Sequence, residues 1–371
     1  MRTLFSKPLA DIRDKSRKLS DMDDAWSGGI HKAVAALEGC LPRPWCCVCR
    51  AALEHAPTFI HRGQSYKRCG ECGHVMIGCL PPEGYPHSGQ GGLAYSAVYD
   101  KQGDAATAKR RSLVYQPKLE WVLSQADLLG MTRQSLLDAR WVELGCGDGQ
   151  FLKCLEEAGA SRFTGFDADP ALVGRAEAAL TAGSAVHSRI PLSDVVRATQ
   201  ADIFAAFFVL EHIPDVHDFF TAFSDKPQGT VLAFSVPVFS LATALESAFD
   251  VHAPRNLDSV LHTQLFTEAS IRRCMEIGGL EPVSQWIFGQ DAADLRRMLM
   301  QALARVYPEQ MLQEVDERLA LMEEGLQNVV DRACFCDARH IVAVRRERGR
   351  NAHRRNSPSQ APHGREARGA A

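Results

Sequence analysis

The sequence lacks several features that would narrow its class at once. It has no long apolar run. Its most lightly charged stretch, Thr230 to Phe249, is broken by Pro237 and several Ser and Thr residues. That stretch reads as a buried strand followed by a helix rather than a membrane span, which needs about 20 continuous apolar residues. Met1 to Lys18 mixes Arg, Lys and Asp with single apolar residues. No apolar core of a secretory signal stands there, so the expected location is cytoplasmic. Neither charge sign is in excess. A formal net charge of −3 gives no global reason for a nucleic-acid partner. No segment repeats. What remains is a 371-residue chain, 46% hydrophobic and 23% charged, which is the composition of a soluble globular protein with room for one sizeable domain and an appendage.

Cysteine, by contrast, is plentiful. The chain holds twelve, and without a secretory signal a disulfide framework is not expected. Their spacing carries more than their number. Cys46 and Cys49 form one C-x-x-C pair, Cys69 and Cys72 a second. Four thiolates on two knuckles are the ligand set of a tetrahedral zinc in a ribbon-type module. The intervening 19 residues, with Phe59, Ile60 and Tyr66, suit a hairpin, and Gly70 and Gly73 let backbone N–H groups approach sulfur. The alternatives are a reduced thiol cluster without metal and a redox pair. A redox C-x-x-C opens a helix in a thioredoxin-like unit, and none is visible. Cys47, Cys79 and His74 are spare ligands nearby. Cysteine fills all four positions, so the expected zinc is structural.

Breakers and periodicity divide the rest of the chain. Residues 1–42 read as a helical or irregular segment, with a mildly helical run from His31 to Glu38. The cysteine module covers 43–80, and a Pro- and Gly-rich linker covers 81–114. From 115 to 345 short apolar strands alternate with helices. Strands are expected at Trp141–Leu144, Phe163–Phe166, near Ala185–His187, at Ile203–Leu210, Thr230–Val236, Pro282–Phe288 and Ala338–Val344. Helices are expected at Phe151–Ala158, Ala171–Leu180, Val216–Phe223 and Ala269–Gly278, preceded by an amphipathic one around Trp121–Leu129. The alternation implies a mostly parallel sheet covered on both faces, an α/β Rossmann-like architecture. Two longer helices over about 291–331 interrupt the last hairpin as a lid, a dimer face or ordinary packing. Leu295, Met298, Leu299 and Ala302 have core spacing, which favours packing. A homo-oligomer stays open. From Arg345 onward there are eight Arg and two Glu with almost no apolar residues, so 346–371 is expected to be disordered.

The most informative segment is Val142-Glu-Leu-Gly-Cys-Gly-Asp-Gly-Gln-Phe-Leu152. An apolar strand runs into Gly145, Gly147 and Gly149, and a helix follows at once. Glycines are needed where backbone passes close to a ligand or takes positive φ. The spacing is G-x-G-x-G, and the dinucleotide fingerprint G-x-G-x-x-G wants its third glycine at Gln150. A second strand ends in Asp167, 18 residues beyond Gly149. An acid there can bond both ribose hydroxyls of an adenosine ligand. The plain alternative is a tight turn without a ligand.

Glu143-Leu-Gly-Cys-Gly-Asp-Gly149 resembles motif I of the class I S-adenosylmethionine-dependent methyltransferases. Phe208-Val-Leu-Glu-His-Ile-Pro-Asp215 resembles the end of their fourth strand. The resemblance covers roughly residues 115–345 and implies a seven-stranded methyltransferase sheet behind a small N-terminal zinc ribbon. It also implies that Gly145, Cys146, Gly147 and Gly149 pack under the methionine part of S-adenosylmethionine. Glu143 would orient the loop or the ammonium, Asp167 would take the ribose, and Ala168 would pack on adenine. The family often has an acid after strand three for the adenine amino group, whereas Val186-His-Ser-Arg-Ile-Pro191 has none before Asp194. A cysteine ribbon, then Tyr95 and Tyr99, then this core is similar to a group that includes sugar C-methyltransferases of glycan biosynthesis. A zinc module ahead of a methyltransferase also resembles some ribosomal-RNA base methyltransferases, although residues 43–72 carry only five Lys or Arg against two Glu.

Methyl transfer from a sulfonium needs a positioned nucleophile and, for many acceptors, a base. Glu211 and His212 follow the fourth strand, whose carboxyl end faces the ligand crevice. His212 has a suitable unperturbed pKa. The competing reading is that both residues shape the loop and cap the next helix. His262, ahead of a helix N-capped by Thr267, is a second base candidate or a surface histidine. The leading function is methyl transfer to a small-molecule or glycan acceptor. RNA base methylation and a zinc-ribbon interaction protein with a degenerate methyltransferase domain remain as alternatives. A nicotinamide oxidoreductase is disfavoured by the glycine spacing.

Overall fold

The computed structural model describes residues 1–8, 35, 37–61, 63–81, 104–249, 256–257 and 262–347. Most of the run from His31 to Glu38, Tyr95, Tyr99 and the tail beyond 347 lie outside the described residues.

Two sheets organise the molecule. Twelve strands are named in chain order: β1 Arg2–Phe5, β2 Thr58–His61, β3 Gln64–Arg68, β4 Val75–Ile77, β5 Trp141–Leu144, β6 Phe163–Asp167, β7 Ser184–His187, β8 Ile203–Phe207, β9 Val231–Pro237, β10 Gln264–Leu265, β11 Leu280–Ile287 and β12 Ala338–Arg345. The large sheet has the order β1-β11-β12-β9-β8-β5-β6-β7. Its central strands β9, β8, β5, β6 and β7 pair in parallel, while β12 runs antiparallel between β9 and β11. The chain reverses at β5, so the crevice at the carboxyl ends of β5 and β8 lies where α/β sheets bind ligands. Parallel strands buried on both faces need unbroken apolar runs. β8 and β9 meet that need, since every residue of both is buried.

The sequence predicts seven strands for this sheet, and the structure has these seven plus β1. The opening segment, expected to be helical or irregular, pairs in parallel with β11 from Arg2↔Ser284 to Phe5↔Ile287. Its burial pattern is exposed throughout, so edge pairing rather than a hydrophobic stripe makes this strand, and no apolar alternation announces it. The Trp286 indole N–H donates to the Ser6 carbonyl (3.0 Å) and fixes the end of the pairing.

The last part of the linker expected over 81–114 is helical. Its breakers end at Gly103. Asp104–Arg110 is helical and leads through a wide π-turn, Arg111–Tyr115, into the helix Gln116–Leu123. Pro117 explains the widening, because it has no N–H to give to the carbonyl four residues back. That carbonyl, on Leu113, accepts from the Lys7 ammonium instead.

The fourth strand of the family pattern also ends early. Phe208 takes φ +54°, outside the extended region, so the strand expected to reach Leu210 stops at Phe207. The apolar run continues into the core through a turn: Leu210 is fully buried in the single 3-10 turn Leu210–His212. Thr230–Phe249 forms β9 and the helix Leu241–Ala248. Among the described residues no helix is long and apolar enough to cross a membrane.

The cysteine module builds the second sheet, in the order β10-β4-β3-β2. Its fourth strand, Gln264–Leu265, comes from the α/β domain and pairs antiparallel with Val75–Met76. The module therefore shares a sheet and a hydrophobic cluster with the larger domain: Cys46, Val48, Cys69 and Met76 pack in one core with Phe219, Phe266 and Cys274.

The helices Asp291–Leu303 and Glu309–Arg332 occupy the expected insertion. Asp291 ties them in. Its Oδ1 accepts from the Ala242 N–H and its Oδ2 from the Asp337 N–H, both at 2.9 Å. Asp291→Asn should destabilise by stranding one N–H and Asp291→Ala by stranding two, because an amide NH2 facing one of these N–H groups accepts nothing. Each buried N–H left unpaired costs about 1–3 kcal/mol. Denaturant unfolding should show a loss of that size for each stranded N–H, and a neutral Asp291→Asn would contradict the role.

Candidate functional site: a glycine turn and a braced acidic turn

The crevice is built from the carboxyl ends of β5, β6 and β8. After β5 the chain makes a turn with Gly145, Gly147 and Gly149 at φ +73°, +53° and +77°. The three glycines serve different needs. A Cβ on Gly145 would meet Val209 at 2.6 Å, and one on Gly149 would meet Ala176 at 2.7 Å. Those two let the turn pack against Val209, just beyond β8, and the helix Pro170–Ala179. A Cβ on Gly147 meets nothing within 4 Å, so its positive φ, not crowding within the protein, calls for glycine, and its Cα faces open space. Cys146 turns its side chain away from that face, since a Cβ on Gly165 would lie 2.7 Å from its Sγ.

Asp167 is tied to this turn. Its Oδ2 accepts from the Gly147 N–H (2.8 Å) and its Oδ1 from the Asp169 N–H (2.9 Å). Burial pushes its carboxyl above the usual range, against those hydrogen bonds. Ala168 is half-buried, with its carbonyl 3.2 Å from His187 Nε2. Glu143, at the end of β5, is 3% exposed, and its Oε2 has no hydrogen-bond partner. Burial, then the carboxylates of Asp167 and Asp148, push its pKa well up. An orphaned buried carboxylate beside a glycine turn is costly without a cationic partner. The residues present therefore fit S-adenosylmethionine, which brings an ammonium and a sulfonium.

The second half of the crevice is the turn after β8. Glu211 is fully buried and neither carboxylate oxygen has a hydrogen-bond partner. Burial pushes its pKa up to about 8. His212 Nε2 lies 3.9 Å and His262 Nε2 4.0 Å from Glu211 Oε1, and the two imidazole rings are 5.3 Å apart between centroids. The three residues singled out for proton transfer thus converge at one point.

Lys118 was not legible as a site residue, because a lone lysine in an amphipathic helix reads as its solvated face. It is buried, with its ammonium 4.5 Å from the Phe208 ring centre and 5.1 Å from that of Phe207. Burial, reinforced by Lys7 and Arg110, pushes its pKa down to about 7, against the pull of Glu143 and Glu211. Two carboxyls pushed up and an ammonium pushed down in one crevice are the signature of a functional site.

The four cysteines meet as their spacing predicts. Cys46 Sγ lies 3.6 Å from Cys72 Sγ, and Cys49 Sγ lies 3.5 Å from Cys69 Sγ. All four sulfurs fall within 4.8 Å of one another. Tetrahedral Zn–S bonds of about 2.3 Å require sulfurs roughly 3.8 Å apart, so the donor set fits zinc. None of the twelve cysteines is in a disulfide.

The module reaches the acidic turn through Gln264, which sequence reasoning also missed. The Gln264 Nε2 amide donates to the Leu210 carbonyl (3.1 Å) and the Ile213 carbonyl (2.8 Å). Both acceptors are carbonyls, which fixes Oε1 on the other side. There it accepts from His74 Nε2 (2.9 Å) and Cys47 Sγ (3.0 Å). Two further contacts reinforce the seam: the His217 N–H donates to the Cys47 carbonyl (2.7 Å), and Arg50 pairs with Asp215 (2.5 Å). Thr267 caps its helix as expected, accepting from the Ser270 N–H (3.1 Å).

Residues 119–285 match the family described as a methyltransferase domain. With the strand order and the glycine turn, that segment reads as a methyltransferase domain. No curated protein matches it. Among solved structures, magnesium protoporphyrin IX methyltransferase of Synechocystis PCC 6803 is similar at 14% identity and a TM-score of 0.41, over 68% of this chain and 93% of that one. Geranyl diphosphate C-methyltransferase of Streptomyces coelicolor A3(2) is similar at 13% identity and 0.40, over 68% and 88%. A SAM-dependent methyltransferase of Archaeoglobus fulgidus follows at 15% and 0.38, over 61% and 94%. None of these assigns an acceptor to this chain.

Gln264→Leu would strand four buried partners at once: two carbonyls, an imidazole N–H and a thiol. Even with partial relaxation it should cost on the order of 2 kcal/mol or more, since each unpaired buried polar group costs about 1–3 kcal/mol. Denaturant unfolding measures this, and a loss below about 0.5 kcal/mol, the scale of an ordinary surface change, would show that the amide holds nothing.

Proposed function

We propose that the chain transfers the methyl group of S-adenosylmethionine to a small-molecule acceptor, with glycans and nucleotide sugars the leading class, and that a structural zinc holds the cysteine module. One observation carries the reading: the open Gly147 face belongs to a turn whose N–H is held by Asp167 and which follows Glu143, whose Oε2 is buried without a hydrogen-bond partner. In this reading the Gly145–Gly149 backbone, including that of Cys146, lies under the methionine part. Glu143 takes the ammonium, Lys118 takes the carboxylate, Asp167 takes the ribose and Ala168 packs on adenine. The methyl group then faces the turn after β8. The acceptor atom attacks the methyl carbon in line, the C–S bond breaks with its electron pair going to sulfur, and the acceptor's proton passes to His212. Glu211 and His262 orient that imidazole. Twelve cysteines with no disulfide among them suit a reducing compartment, the cytoplasm. RNA is the less favoured acceptor, because residues 43–72 carry only five Lys or Arg against two Glu.

Calorimetry should show binding of S-adenosylmethionine and its demethylated product in the micromolar range common for enzyme ligands. Asp167→Ala should weaken it by about 1–3 kcal/mol, because hydrogen bonds to a charged group are lost. Preferential binding of NAD would sink the assignment.

Elemental analysis of protein purified without added metal should give close to one zinc per chain. Cys69→Ser should lose the metal and unfold the module, since metal binding is that module's folding energy. Folded protein with less than about a tenth of an equivalent would reject the site; a structural zinc is expected at near-full occupancy.

For a true acceptor, found by following release of the demethylated product across nucleotide sugars and glycan precursors, His212→Ala should lower turnover about 10²–10⁴-fold. Cofactor affinity should stay nearly unchanged. Unchanged turnover would remove His212 from the chemistry.

A further inference from the structure

Glu211, His212 and His262 are more than a hydrogen-bonded base and its supports. The carboxylate is 0% exposed, yet neither imidazole bonds to it: the nearest approaches are 3.9 and 4.0 Å. Each residue offers one ligand atom, and the three atoms lie within 4.8 Å of one another. Those separations are too long for hydrogen bonds and suit groups arranged around a common centre. A cation at the middle of that triangle would lie within about half an ångström of the usual 2.0–2.2 Å metal–nitrogen and metal–oxygen bonds. Side-chain torsions close such a gap. The carboxylate is also what a cation would satisfy, since a buried acceptor with no donor costs free energy that a metal bond returns.

We infer that Glu211, His212 and His262 form a second metal site, distinct from the four cysteines, which takes a first-row divalent cation and leaves open positions toward the crevice for an oxygen of the acceptor. Two imidazoles and one carboxylate are a ligand set for zinc or ferrous iron with open coordination positions. Both histidines are partly exposed, with side chains 11% and 22% accessible, whereas the carboxylate is closed off. The open positions therefore face the crevice. The inference rests on the proposed acceptor position but not on proton transfer to His212, which it replaces in the cation-loaded protein. A nitrogen lone pair given to a metal cannot take a proton. The cation instead acidifies a bound acceptor hydroxyl: the O–H bond breaks with its electron pair staying on oxygen, and the proton passes to water. The acceptor class narrows to compounds that present a hydroxyl or carbonyl oxygen beside the methylated atom.

The test is titration of the full-length protein, purified with whatever zinc its cysteines hold, with cobalt(II), followed by calorimetry and visible absorption. No acceptor is needed, and binding of S-adenosylmethionine is measured separately, so failure here and failure of the methyltransferase reading are told apart. The expected result is one equivalent with the weak d–d bands of a nitrogen–oxygen ligand set, distinct from the intense thiolate charge-transfer bands of cobalt on the cysteines. That signal should weaken at least ~10-fold in affinity in His262→Ala and in Glu211→Gln. His262→Ala is the safer variant, because its side chain is partly exposed and its fold can be verified by unchanged cofactor binding. Cobalt bound only to thiolates, no binding beyond the cysteines, or a nitrogen–oxygen signal undiminished in His262→Ala would each overturn the inference.

Discussion

The arrangement of the crevice depends on a single side-chain amide. Gln264 stands between two parts of the molecule that have separate reasons to fold, the cysteine module and the α/β domain, and it satisfies both. Its two donors close the carbonyls on either side of Glu211 and His212, and its oxygen closes the module's His74 and Cys47. A buried amide with every hydrogen bond made is directional in a way that apolar packing is not. The hydrophobic cluster shared by the two parts brings them together, and Gln264 sets the position of the turn. The short strand that carries Gln264 belongs by sequence to one domain and by hydrogen bonding to the sheet of the other.

The crevice itself is expensive. Glu211 is a carboxyl buried without donors, Glu143 has one oxygen in the same state, and Lys118 is an ammonium held over two aromatic rings. None of this favours the folded state in isolation. Such groups persist where a ligand completes them, and Glu143 and Glu211 stand at the carboxyl ends of β5 and β8. The positive φ of Phe208 belongs to the same pattern, as backbone strain at the point where the strand must stop and the acidic turn begin.

Much of this was legible in the residues. Strand–helix alternation gave the sheet, the glycine spacing gave the turn, and paired C-x-x-C gave the four-sulfur cluster. Each is a local signal with a fixed period or spacing. Other features depend on partners far away in the chain. β1 is exposed, and it is a strand only because β11 offers an edge. The end of β8 hides inside a continuous apolar run, Phe207 to Leu210, because burial demands apolar residues in a turn as much as in a strand. Lys118, His74 and Gln264 look like ordinary polar residues until the fold surrounds them.

The most direct test of the account is whether the cysteine module holds the acidic turn in place. Amide hydrogen exchange would be followed before and after stripping metal from the protein with a chelator, at a temperature where the α/β domain stays folded. Residues 209–217 should then lose protection together with 43–80, while 142–167, on the far side of the crevice, keep theirs. If exchange quickened only in 43–80 and the turn after β8 stayed protected, the module would be an appendage and the brace through Gln264 would be refuted.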